Sequence, residues 1–309
     1  YHSAIQYQSE NPDFDPSELA VVVPNDKKFE FSYATEHVSN DLAIRVLLSC
    51  HESWIKAKEL GVGEHHEKAI KWIHDQLQRI QKMRGHYPGM GAALCAFGID
   101  KGHFIAAEIN NHLKDKDDNP WGIFELALTD PNGILSDEVA YLIRTNSRKL
   151  YQRLAAKEKS ERLDLLHLLS RFDLTIDQAK RLYVQEERDK LAENLSEAKI
   201  LENPYLIYEL NLYQPDPVGL DTIDLGLFVK KNDREHLLPV NLKFDEDPFD
   251  SFRIRALTLR QLHMAASNGH TLLPRKEIIK QIRSLAIDPK CELTSDYYEL
   301  AEDTFPGAI

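Results

Sequence analysis

The chain has 309 residues, 42% apolar and 28% charged, with a formal net charge of −12; that apolar content suffices for two or three compact units and excludes a disordered chain. No window approaches eighteen uncharged apolar residues and no basic start leads into an apolar run, so neither a membrane span nor a signal peptide is expected, and the cytoplasm is the expected compartment. The acidic balance argues against a generic polyanion binder, because like charge repels phosphate over about 8 Å in physiological salt, and any nucleic-acid contact has to be local.

In chain order, residues 1–38 read as a short β segment, the tail of a preceding domain, with strands at Leu19-Ala20-Val21-Val22-Val23 and Phe29-Glu30-Phe31-Ser32-Tyr33 around a turn at Pro24-Asn25-Asp26. Residues 39–155 read as a helical domain. Ser39 or Asn40 caps a first helix whose apolar face holds Leu42, Ile44, Val46, Leu47 and Leu48, and which stops at Gly61-Val62-Gly63. A second, over 64–83, carries Ile70, Ile73, Leu77 and Ile80 at helical spacing. Then come a turn at Tyr87-Pro88-Gly89-Met90-Gly91, an apolar helix to Phe97, a break at Gly98, a helix over 103–113, a polar surface loop over 114–119, and helices dominating from 136 to 201.

Residues 156–250 read as a tandem helix-hairpin-helix-like region with proline-rich connections; Pro204, Pro215, Pro217, Pro239 and Pro248 exclude long helices over 203–250. Residues 251–309 read as a helical pair over 252–267 and 275–285, with Pro274 in the first turn of the second helix. The expected fold is mainly α: short helical units including helix-hairpin-helix motifs, with a small β element at the N-terminus. A start at Tyr1 and an apolar stop at Phe305-Pro306-Gly307-Ala308-Ile309 read as cuts from a longer protein.

The chemistry-bearing motifs are few. The G-x-x-x-x-G-K-[ST] phosphate loop and the G-x-S-x-G elbow are both absent from the sequence. Cys50, Cys95 and Cys291 are far apart and odd in number, which reads as reduced thiols. Glu64, His65, His66 and His74, or Cys50-His51-Glu52, supply metal-ligand chemistry without a ligand spacing, and read as solvated helix residues. No catalytic or metal site is expected.

The Pro-Gly-x-Gly turn at Gly89, Met90 and Gly91 has two readings. It can aim backbone amides at a phosphate from a helix N-terminus, or it can simply connect two packed helices. A second hairpin, from Leu169 through Arg171 to Ala179, lacks glycine and reads as packing. Basic residues gather at Arg144, Arg148, Lys149 and Arg153, and at Arg253, Arg255 and Arg260, as phosphate partners or as solvated helix faces.

Four elements, in order, carry a family resemblance: Glu202-Asn203-Pro204-Tyr205; Val218-Gly219-Leu220-Asp221-Thr222-Ile223-Asp224; Arg253-Ile254-Arg255-Ala256; and Gly269-His270-Thr271-Leu272-Leu273-Pro274. Over about residues 160–285 the chain resembles the region ahead of the motor in RecD-like ATP-dependent DNA helicases, where two helix-hairpin-helix motifs precede a helical pair. It departs from that family in having Asp221 where a basic residue is usual, no glycine in the first hairpin, and an added Pro215-Asp216-Pro217. Within the resemblance, His270 and Thr271 are expected to fix the turn between two helices.

The resemblance implies a non-catalytic accessory region that grips duplex or forked DNA through its backbone without sequence preference. Gly89, Met90, Gly91, Gly219 and Leu220 would present amides, with Arg171, Arg253, Arg255 and Lys276 as phosphate partners. The chain itself would need no cofactor; ATP and Mg would belong to a downstream motor domain in the same protein. The alternative is a protein-interaction scaffold that docks a partner subunit or nuclease, favoured by the acidic balance and the eroded hairpins.

Overall fold

The computed structural model describes residues 2–21, 38–113, 119–129, 135–146, 160–229 and 237–305. Among these the regular elements are helical and no strand is found. No helix among them is long and apolar enough to cross a membrane. The chain forms two compact units, Tyr1–Arg84 with Leu285–Ile287, and Gly85–Ser284 with Asp288–Ile309.

In the first unit the structure departs from the expected β element. His2–Glu10 is a helix, α1, and Pro16–Leu19 is a 3-10 turn. Asp15 accepts a hydrogen bond from the Ser17 amide, and Pro16 supplies the fixed φ of a first turn, so the chain coils just where an extended run was expected to begin. The rest of that β reading, residues 22–37, lies outside the described residues.

Helices α2 (Asn40–Leu60) and α3 (His66–Arg84) then pack as a pair. Ser39 caps α2 by accepting from the Leu42 amide at 3.2 Å, and Gly61 ends it in the left-handed region at φ 68°. Asp41 at the start of α2 and Arg84 at the end of α3 form a buried ion pair that joins opposite ends of the sequence of this hairpin. A small apolar cluster of Ala4, Ala57 and Val62, flanked by Tyr7, Phe14, Leu19 and Leu60, seats α1.

The second unit is built around α4 (Met90–Phe97), in which every residue is buried. Around it lie α5 (Gly102–His112), α6 (Pro120–Thr129), α7 (Asp137–Asn146), α8 (Ser160–Ser170) and α9 (Ile176–Tyr183). α4 packs on α5, α8 and α9, so residues on both sides of position 156 share one core. A reciprocal cap starts α9: Thr175 Oγ1 accepts from the Gln178 amide and Gln178 Oε1 accepts from the Thr175 amide.

Beyond α9 the helices shorten, to α10 (Gln185–Arg188), α11 (Glu197–Glu202), α12 (Leu206–Asn211) and α13 (Leu220–Leu227). For α12 and α13 this is the consequence expected of the prolines over 203–250. The longer α14 (Ser251–Ser267), capped by Asp250 accepting from the Phe252 and Arg253 amides, packs on α15 (Arg275–Arg283) and α16 (Ser295–Glu302).

Close approach, rather than left-handed backbone, explains two glycines. A Cβ on Gly89 would lie 2.0 Å from the Phe172 carbonyl oxygen, and one on Gly226 would lie 2.4 Å from Phe172 Cδ1. Gly89→Ala and Gly226→Ala should each destabilise the chain by about 1–3 kcal/mol through overpacking, whereas at Gly219 the nearest neighbour to a Cβ is Thr222 Oγ1 at 3.7 Å, and Gly219→Ala should cost less than about 1 kcal/mol. Urea midpoints of the three variants check this ordering.

Candidate nucleic-acid interface

The turn expected to offer amides to phosphate is directed inward. Gly89 donates its amide to the Ser170 carbonyl at 3.0 Å, and Met90 donates to the Tyr87 carbonyl at 3.2 Å. Gly89, Met90 and Gly91 are all buried. The Tyr87 hydroxyl closes the same turn by donating to the Leu237 carbonyl at 2.9 Å, and burial pushes that phenol up to about 12. The two readings of the Pro-Gly-x-Gly turn are thus separated: this one connects packed helices, because the atoms a phosphate would need are bonded within the fold.

The structure brings the two sequence candidates together, since Gly89 sits against the segment that carries Arg171. That arginine is fully buried. Its Nε donates to the Gly226 carbonyl at 3.0 Å and its guanidinium lies 5.1 Å from the centre of the Tyr87 ring. A phosphate cannot reach it without unpacking Phe172 and α13, which corrects its expected role.

Arg253 is also an interior residue. Its Nε and Nη2 donate to the Asp224 carboxylate at 2.8–3.1 Å, Nη1 donates to the Pro248 carbonyl at 2.9 Å, and Nη2 to the Pro289 carbonyl at 2.7 Å. The guanidinium also stacks over Phe228 at 5.0 Å. The Tyr205 hydroxyl completes the cluster by donating to Asp224 Oδ1 at 2.7 Å. Burial alone would favour a neutral Arg253, but the Asp224 carboxylate overrides it and holds the guanidinium charged. Tyr205, fully enclosed and beside that carboxylate, is held well above the ordinary phenol range.

Two further arginines of α14 are paired in the same way. Arg255 donates to both oxygens of Glu209 at 3.1 Å, and Arg260 donates to Asp221 at 3.1 Å. Arg253 and Arg255 are therefore corrected as phosphate partners. Asp221, the departure from the family pattern, is the acid that neutralises Arg260.

Of the remaining expected residues, Leu220 is buried, Gly219 is half-buried as the N-cap of α13 with no side-chain cap, and Lys276 is exposed in the first turn of α15. His270 and Thr271 are exposed; the His270 backbone amide, donating to the Ala265 carbonyl at 2.9 Å, closes the turn. Arg148, Lys149 and Arg153 lie outside the described residues, as does the side chain of Arg144. No group of three or more histidine, cysteine or acidic side chains that could hold a metal ion is found among the described residues.

No family model, curated protein or solved structure matches this chain.

Sequence reading missed two interior polar centres. Arg188 is fully buried and donates to the Leu182, Tyr183 and Leu195 carbonyls and to Glu197; its charged neighbours Glu186, Glu187 and Asp189 give no sequence signal of burial. The second is His167, whose ring lies 4.4 Å from that of Trp121 and whose Nε2 has no hydrogen-bond partner among the described residues. Trp121 Nε1 donates to Ser170 Oγ at 2.9 Å, and that hydroxyl donates to the His167 carbonyl at 2.6 Å, which locks the stack from behind.

Burial drives the His167 imidazole down to about 4. The unfolded chain takes up this proton below about 6.5, while the folded chain stays neutral to about 4. The stabilising term is therefore complete above pH 6.5 and is lost as pH falls towards 4. Relative to His167→Phe, the native chain should lose up to about 3 kcal/mol of stability across that window, as read from denaturant midpoints at successive pH values.

Proposed function

We propose that this chain is a protein-interaction scaffold of the type that precedes the motor in RecD-like helicases, holding a partner subunit or nuclease and performing no chemistry itself. One observation carries this reading. The groups a DNA grip would use, the Gly89 amide and the guanidinium groups of Arg171, Arg253 and Arg255, are bonded inside the fold. Among the described residues, a chain of net charge −12 whose interior consumes these arginines offers a phosphate strand few exposed cations beyond Lys276 and Lys280 at these positions.

In this reading α8–α9 and α12–α13 are helix-hairpin-helix units whose turns serve packing, and α14–α15 leads towards a motor domain that supplies ATP and Mg chemistry. A second reading, sequence-independent DNA binding, is favoured by the exposure of Lys276 and Lys280 on α15. Fluorescence anisotropy on a forked DNA and recovery of a bound protein partner separate the two. The scaffold reading predicts a partner retained in high salt and no DNA binding at low salt. Tight fork binding that falls steeply with salt and is lost in Lys276→Glu would replace it with the second reading.

A further inference from the structure

The end of the α14–α15 hairpin combines two properties. From Ser251 to Lys276 the chain has no acidic residue, although it holds 50 elsewhere. Asp224, Glu209 and Asp221, which meet α14 from other segments, are paired with Arg253, Arg255 and Arg260, Glu302 is bound to Arg275 at 2.6 Å, and Glu277, half-buried between the two lysines, accepts from Gln281 Nε2 at 3.1 Å. Lys276 and Lys280, one turn apart, project from the exposed face of α15.

At the same end of the hairpin large apolar groups stand in water. Leu272, in the connecting turn, is 87% exposed, and Met264, in the last turn of α14, is 49% exposed. Tyr213 is 82% exposed and meets the neighbouring His263 edge-on, with ring centres 5.5 Å apart. Full burial of a leucine or methionine side chain is worth about 1.5–3 kcal/mol, most of which Leu272 forgoes and part of which Met264 forgoes, and apolar groups exposed at one place mark a recognition surface more strongly than scattered ones do.

We propose that this end of the hairpin is the docking surface for an acidic, amphipathic protein segment, with Leu272 and Met264 as apolar anchors and Lys276 and Lys280 as its charge complement. The chemistry favours protein over nucleic acid. A sugar-phosphate strand rewards the lysines but leaves Leu272 and Met264 in water, whereas an acidic segment with leucines along one face satisfies both. The inference rests on the scaffold reading and specifies where the partner sits.

The test uses the full chain and two fluorescein-labelled probes: a synthetic helical peptide with leucines on one face and glutamates on the other, and an oligo-dT of matching charge. The peptide should bind, and Leu272→Asp and the pair Lys276→Glu with Lys280→Glu should each weaken it about tenfold with the melting temperature unchanged. Val240→Asp, at an exposed site elsewhere, should leave binding intact. No peptide binding, or peptide binding indifferent to Leu272→Asp, overturns the proposal. So does oligo-dT binding that is lost with the lysines and indifferent to Leu272. If a partner is held in high salt equally by the native chain and by Leu272→Asp, this surface is refuted while the scaffold reading stands. If neither holds a partner, the scaffold reading falls with it.

Discussion

Arg253 and Asp224 meet in the interior as an ion pair, burial pushing the Asp224 carboxyl up against the pull of the guanidinium, and the surrounding chain is arranged to make that tolerable. A buried charge pair persists only where its remaining donors and acceptors are also satisfied. Here Tyr205, ahead of α12, the Pro248 and Pro289 carbonyls and the Phe228 ring surround the pair on the sides that Asp224 leaves open. Segments spanning 205–289 are thereby committed to one arrangement. The prolines that shorten the helices of this region also leave carbonyls pointing at Arg253, so its irregular backbone has a definite use.

The pairing extends along α14. Asp221 and Asp224, one turn apart on α13, face Arg260 and Arg253, two turns apart on α14, and Glu209 at α12 meets Arg255. Three arginines that look in sequence like a basic cluster are thus matched to three acids of the preceding helices. A positively charged exterior cannot arise from residues spent in this way. This face acts as a clamp between helices.

Much of the helix architecture was legible. Ser39 and Gly61 bound α2 as the cap and stop signals require, α14 and α15 fall at 251–267 and 275–283 against expected spans of 252–267 and 275–285, and proline density restricted the described helices over 203–250 to short ones. Local signals sufficed because capping and proline effects act within a turn or two. The helix His2–Glu10 was not legible, since its one buried residue, Ala4, gives no apolar periodicity to read. The site failed for a different reason. Glycine serves a phosphate-binding turn and a tight helix crossing equally well, and only the carbonyls of Leu169, Ser170 and Phe172 around Gly89 distinguish them. The acid that neutralises Arg253 is 29 positions away and the one for Arg255 is 46 away, beyond any local pattern.

The central claim is that the arginines of α14 hold the fold and do not hold phosphate. Arg253→Met, examined by denaturant unfolding and by anisotropy on a forked DNA, tests it most directly. The account predicts a loss of about 3–5 kcal/mol of stability, because Asp224 is left buried and unpaired, with no change in DNA binding under conditions where the variant remains folded. A variant that keeps its stability but loses DNA affinity would contradict it.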